Sequence, residues 1–255
     1  MLTALKYTIK KQMELLPHRG TKVTCPICGF KANDLYAIGL DLPVLKEKEV
    51  AGAGKRNAGC YNCHSTDRER LVYIYLRDCF KLFLQPKSIA ILHIAPEKRI
   101  SEAIIRQGFS NYVCGDKFTP GYSYPTHVKD TDITALTYTQ DYFDIIICNH
   151  VLEHVPNDSL AMRELFRVLK PGGTAILQVP ISKNSTATLE DEKATTDKQR
   201  EAVYGQFDHV RLYGADYKKR LADAGFSVQI MNLCTQYSQY GLSDNEDLYV
   251  CTKAK

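Results

Sequence analysis

FDIIICNHVLEHVPNDSLAMRELFRVLKPGGTAILQVP, residues 143–180, carries the pattern that decides the fold. Residues 143–148 form an apolar run bounded by polar residues, as in a strand buried on both faces of a parallel sheet. Residues 159–169 place apolar side chains at helical spacing, and Lys170-Pro171-Gly172-Gly173 reads as a helix stop followed by a turn. A second apolar run, residues 174–179, supplies the next strand. Strand, helix, turn and strand in this order make a unit that parallel sheets are built from.

Working outward, the alternation continues in both directions. Upstream, residues 88–94 read as a strand, 99–107 as a helix and 112–115 as a strand. Downstream, residues 215–224 read as a helix stopped by Gly225, and 226–231 and 248–251 as the last strands. The expected class is α/β, with a doubly wound, mostly parallel sheet. Residues 67–84 are helical through Leu71, Ile74, Tyr75, Cys79 and Leu82. Residues 1–20 form an amphipathic helix whose stripe of Leu2, Leu5, Ile9, Met13 and Leu16 is expected to pack on the protein's own surface. The chain thus divides into an N-terminal helix (1–20), a metal-organised module (21–66) and a large domain (67–255).

The metal expectation comes from Cys25-Pro-Ile-Cys28-Gly29 and Cys60-Tyr-Asn-Cys63-His64. Two C-x2-C turns, 31 residues apart, can aim four thiolates at one point and close a tetrahedral zinc site. His64 directly follows Cys63 and would crowd the same vertex. Four thiolates leave no position for water, so the zinc is structural. The other readings of the cysteines are a reduced thiol core or a redox pair.

Size and composition bound the rest. The chain has 255 residues, of which 44% are hydrophobic, enough for one large domain and a small appendage. No stretch reaches the ~18 apolar residues of a membrane span, and no secretory signal pattern is present, so a cytoplasmic location is expected. A formal charge of +4 is too small to imply nucleic acid by itself.

The cofactor side starts at residues 91–97, an apolar strand running into a turn. Nineteen residues after Glu97 comes Asp116, at the tip of the next strand, where an acid suits a bidentate grip on a ribose diol. With these residues and the run 143–180 in view, residues 88–255 resemble the class I S-adenosylmethionine (SAM)-dependent methyltransferases of the type 11 group. The resemblance implies a seven-stranded sheet whose last strand is antiparallel, with SAM across the strand tips. It puts the cofactor loop at His93, Ala95 and Glu97, the ribose at Asp116, the adenine at Asp132 and the Ile133 N–H, and the methionine end at Asn149 and His150. The family's first loop carries Gly-x-Gly-x-Gly, whereas here it reads His93-Ile-Ala95-Pro96-Glu97 without glycine.

The acceptor side is expected in a polar lid, residues 181–208, and the segment after it. Gln206, Asp208, His209, Arg211 and Tyr213 crowd five hydrogen-bonding side chains into eight residues, costly in a core but useful beside a polar substrate. His209 is the expected general base, with His150 as the second candidate; Gln206, Asp208, Arg211 and Tyr213 are the expected substrate residues. The same segment could instead latch the lid to the sheet, with Arg211 in an ion pair. The expected acceptor is a small polar molecule, such as a sugar or surface-glycan precursor, methylated on a hydroxyl or amine. Two alternatives stand beside it: an RNA methyltransferase gripping RNA with the zinc module, Lys55, Arg56, Arg68 and Arg70, and a zinc-dependent binding protein without catalysis. Oligomeric state is not encoded in any of these patterns.

Overall fold

The computed structural model describes residues 2–255, and the side chains of all of these except residues 2–5, 7 and 8. Helix α1 (Leu2–Leu15) leads into a small antiparallel pair, β1 (Arg19–Thr24) with β2 (Lys31–Ala32). A second pair joins β3 (Tyr36–Ile38) to β4 (Arg56–Gly59), with the short helix α2 (Pro43–Glu47) between them. The apolar stripe expected to hold α1 down does not do so at its described positions: Ile9, Met13 and Leu16 are exposed, and Leu2 and Leu5 lie outside the described side chains. Leu15 packs instead, against Phe30, Ala32 and three of the cysteines. A cluster this small buries little apolar area for four strands, which is the setting in which a bound metal contributes folding energy.

Helix α3 (Asp67–Ile74) begins with a capping box, in which Thr66 Oγ1 accepts from Glu69 N and the Glu69 carboxylate accepts from Thr66 N. Its Arg70 is fully buried and donates to the carbonyls of Ala58, Ser65, Tyr240 and Gly241. One guanidinium therefore ties the cysteine-bearing segment to the C-terminal part of the chain.

The main sheet contains β5 (Ala90–Ile94), β6 (Asn111–Asp116), β7 (Val128–Asp130), β8 (Phe143–Asn149), β9 (Leu169–Gln178), β10 (Ser227–Met231) and β11 (Leu248–Thr252). Their order is β10-β11-β9-β8-β5-β6-β7; β11 is antiparallel to both neighbours and the other pairings are parallel. The doubly wound sheet and its antiparallel last strand match the expectation. Alternation explains why both faces are apolar. Leu92, Ile146 and Cys148 meet Met162 and Leu165 of α5 (Asp158–Val168) and Leu221 of α7 (Tyr217–Asp223). Ile91, Ile145 and Ile147 meet Ile74 of α3 and Ile100 and Ile104 of α4 (Lys98–Arg106) on the other face.

Lys170-Pro171-Gly172-Gly173 is not the turn expected between helix and strand. It lies inside β9 as a bulge, with the register to β8 shifting between Phe143 and Ile145. Gly172 has φ +77° and donates to Lys253 O, and a Cβ at Gly173 would come within 2.8 Å of Leu169 Cδ1 and the Lys170 carbonyl. The lid carries its own helix, α6 (Asp197–Tyr204), and is held by Tyr204 and Leu212 packed on Val50 and Ala194.

Candidate active site and metal centre

The strand order reverses direction between β5 and β8: the chain leaves β5 for β6 and β7 on one side, then crosses to β8 on the other. In an open parallel sheet this crevice is where ligands bind, at the C-terminal strand ends. The loop after β5 holds Ala95 at φ +46° with its N–H on Gly115 O, so alanine adopts the left-handed backbone that glycine takes without penalty. The tight turn survives the missing glycines. Glu97 crosses the crevice, accepting from Asn149 Nδ2 at 2.9 Å and bonded to His93 Nε2 at 2.6 Å. His93 itself is fully buried, with its Nδ1 on Tyr112 Oη. Both its ring nitrogens are used, so the reading of His93 as a cofactor contact is corrected: it orients Glu97.

Asp116 sits at the tip of β6, half-buried, and desolvation raises its carboxyl above the usual value. Asp132 is exposed and already engaged. Thr134 donates to it from both backbone and side chain and Lys117 pairs with it, which holds its carboxyl down near 2. Ile133 packs into the core beside it. At the tip of β8, Asn149 keeps Oδ1 without a partner, and His150 follows in the left-handed region at φ +53° with its N–H on Gln178 O. A half-buried carboxylate at one tip, a small residue in the turn and an unpartnered amide oxygen at the other tip fit the ribose and amino-acid ends of SAM.

Beyond His150 a cavity of about 270 Å³ opens between the tip of β8, the lid and residues 39–56. Arg56, Arg68, His150, Glu153, His154, Gln206 and His209 face it. Among the described residues, the buried side-chain atoms without a hydrogen-bond partner all belong to Arg68, Asn149, His150, Glu153, His209 and Glu246. Orphaned polar atoms are costly in an interior, so their gathering at one place marks a site for a polar ligand. Burial keeps two of its imidazoles neutral: His150 is held well below the usual histidine value, and His209 is held near 3 by desolvation and by His154. Burial pushes Glu153 up to about 8.

The segment expected to meet substrate divides in two. Gln206 and His209 face the cavity, and Asp208 adjoins it by accepting a hydrogen bond from Gln206 Nε2 and by a contact with His154. Arg211 and Tyr213 do not, and their assignment as substrate residues is corrected. Arg211 is 3% exposed and donates to Glu190 and to the carbonyls of Leu152, Val155 and Pro156. Tyr213 is fully buried, with Oη on Asp158. Their polar atoms are consumed in the interior, where they latch the lid to the sheet. Sequence reasoning had no place for Glu153 or Glu246 and used Arg56 and Arg68 only in the RNA alternative. The adjacency Glu153-His154 behind a strand tip was the available signal.

Away from this cavity, the four cysteines converge. Cys25 Sγ lies 3.6 Å from Cys63 Sγ, and Cys28 Sγ 3.8 Å from Cys60 Sγ, against about 3.8 Å for sulfurs around a tetrahedral zinc with 2.3 Å bonds. The two turns are copies of one another. Gly29 N donates to Cys25 O and His64 N to Cys60 O, and both Gly29 (φ +72°) and His64 (φ +62°) are left-handed. His64 therefore closes a turn, and the four thiolates suffice to hold a structural zinc. Arg70 sits near enough for the thiolates to favour its charge, offsetting part of its desolvation.

Residues 74–229 match the family described as "Methyltransferase domain", well over half of the chain. With the fold and the strand-tip site, this makes the chain a member of the class I SAM-dependent methyltransferases. Among curated proteins it is similar to the ubiquinone biosynthesis O-methyltransferase of Pseudomonas fluorescens, 41% identical over 66 residues, 25% of this chain and 28% of that one. It is also similar to the ubiquinone/menaquinone biosynthesis C-methyltransferase UbiE of Vibrio vulnificus, 39% identical over 51 residues, 20% of each chain. The chain thus matches between 20% and 28% of the length of these relatives. Among solved structures, a SAM-dependent methyltransferase from Mesorhizobium loti aligns at a TM-score of 0.45 and 14% identity, covering 69% of this chain and 96% of that one. A putative methyltransferase from Bacillus halodurans aligns at 0.44 and 17%, covering 71% and 99%. No described helix is long and apolar enough to cross a membrane.

Proposed function

We propose that this methyltransferase acts on a hydroxyl or amine of a small polar acceptor held in the cavity beyond His150. The observation that carries the reading is the gathering of orphaned polar atoms there, on Arg68, His150, Glu153 and His209. SAM, when bound, supplies an electrophilic methyl on its sulfonium. The residues of this chain do the remainder. Asp116 grips the ribose, the loop at Ala95 and Glu97 and the side chain of Asn149 border the amino-acid end, and the lid and residues 39–56 keep water out. His150 stands between the cofactor crevice and the cavity. It is neutral and has two unpartnered ring nitrogens, so it is the residue we assign to take the acceptor's proton. His209, also held low, near 3, serves the acceptor side by hydrogen bonding.

The zinc module belongs to the same reading, as a wall of the acceptor cavity. Ala51 N donates to Ile181 O, and Ser182 Oγ to Lys48 O, so residues 43–54 are sewn to the first residues of the lid. A cavity of only about 270 Å³, whose Arg56 is already paired with Asp67, favours a small acceptor over an RNA strand. The test is methyl-labelled SAM incubated with a cell extract split into low-mass and nucleic-acid fractions. Label is expected in the low-mass fraction and insensitive to ribonuclease. Label in RNA would replace this reading, and no SAM binding by calorimetry would end it.

A further inference from the structure

We infer that Glu153, His154 and His209 form a second metal site, distinct from the four cysteines, that binds a divalent transition-metal ion at the floor of the acceptor cavity. One ligand atom from each of the three lies within 4.8 Å of the other two. One point therefore sits within about 2.8 Å of all three, against metal–ligand bonds of about 2.0–2.2 Å, so small side-chain rotations close the site.

The partners of each group fit that role. Glu153 is 1% exposed and keeps Oε2 without a hydrogen bond, while His209 is 6% exposed and keeps Nδ1 without one. Two orphaned atoms on neighbouring buried side chains are costly, and a cation between them removes both costs at once. His154 approaches Asp208 with Nδ1, 3.3 Å from the carbonyl and 3.4 Å from the carboxylate, which leaves Nε2 free. A carboxylate or carbonyl behind one ring nitrogen is the usual support of a histidine that ligates through the other. His154 and His209 also stand edge to face with centroids 4.7 Å apart, so both rings are held by packing.

Two imidazoles and one carboxylate select a first-row divalent ion over magnesium, which prefers oxygen ligands alone. Three protein ligands leave coordination positions open. Because Glu153, His154 and His209 all border the cavity, those positions face the acceptor, and an oxygen of the acceptor can fill them. This last role rests on the acceptor reading above; the binding of the ion does not.

The experiment titrates Mn²⁺ into zinc-replete protein without SAM or acceptor, following the loss of the free-ion electron paramagnetic resonance signal. Thiolates prefer zinc, so manganese reports the second site alone. One Mn²⁺ per chain is expected. Glu153→Gln and His209→Ala should each weaken it at least tenfold, and Asp208→Asn by a smaller factor, with zinc content unchanged. In the wild type, bound Mn²⁺ should broaden the ring-proton resonances of His154 and His209, a readout that does not depend on a variant folding. Folded wild-type protein that binds no second ion, or binding that leaves these resonances sharp, overturns the site. Either result leaves the acceptor cavity untouched, because the label-transfer experiment decides that separately.

Discussion

Residues 19–66 and the main sheet are ordered by different forces. In the sheet, β5 and β8 are buried almost end to end, and the apolar cover comes from α3, α4, α5 and α7. In the N-terminal region the buried cluster contains Leu15, Phe30 and Ala32, and its other members are cysteines. One region is held by area removed from water, the other is built around four converging thiolates that can hold a zinc ion. The two are nonetheless one working unit. Arg70 and Arg99 reach across: Arg99 Nε donates to Cys63 O at 2.6 Å, and Arg70 binds carbonyls on both sides. The region that a metal organises thereby becomes a wall of the cavity that the sheet positions.

Breaking the metal should separate the two regions most sharply. Cys25→Ser is expected to abolish zinc binding, since structural sites contribute about 10–16 kcal/mol of folding energy in zinc-finger peptides. Residues 19–66 should then exchange their amides freely while β5, β8 and β9 stay protected, and methyl transfer should be lost with SAM binding retained. Hydrogen exchange with mass spectrometry checks this; equal loss of protection in both regions would erase the distinction drawn here.

A smaller but global loss is expected from Arg211→Ala. It strands three carbonyls in the interior and removes a buried charge beside Asp158, so the cost should be about 3–5 kcal/mol of stability. A chemical denaturation curve measures it, and an unchanged midpoint would return Arg211 to the substrate side. Asp116→Ala should leave folding intact and weaken SAM binding by about 1.5–3 kcal/mol, the usual size for a hydrogen bond to a charged group. Calorimetry decides, and full affinity would remove the ribose assignment.

The smallest effect probes the two cysteine turns against each other. Gly29 and His64 occupy equivalent left-handed positions, and only the second carries a side chain. Left-handed backbone costs a side-chain-bearing residue about 1–2 kcal/mol, and the added chain entropy of glycine costs about 0.5–1 kcal/mol. His64→Gly should therefore stabilise the zinc region by about 0.5 kcal/mol, seen as a slower release of zinc to a chelator. Faster release would show that the edge contact of His64 with Tyr36 outweighs the backbone gain.

The run at 143–180 determined the sheet and its family resemblance, because a strand buried on both faces and an amphipathic helix leave period and polarity marks that survive in one dimension. The paired cysteines were equally legible, since a C-x2-C turn is local. Local pattern placed the helix end correctly before Lys170 but misled at Lys170–Gly173, where the expected turn is a bulge inside β9, and at Ile9, Met13 and Leu16, which have the periodicity of a packed face and none of the packing. Tertiary structure alone decided what the dense polar segment after the lid does. Arg211 and Tyr213 turn inward to carbonyls and Asp158, whereas His209 turns to Glu153 and His154 on a segment over fifty residues earlier. Sequence states which groups can hydrogen-bond or ligate. Which of them are consumed in the interior, and which are left facing a cavity, depends on partners brought together from distant parts of the chain, and those partners exist only once the sheet has closed.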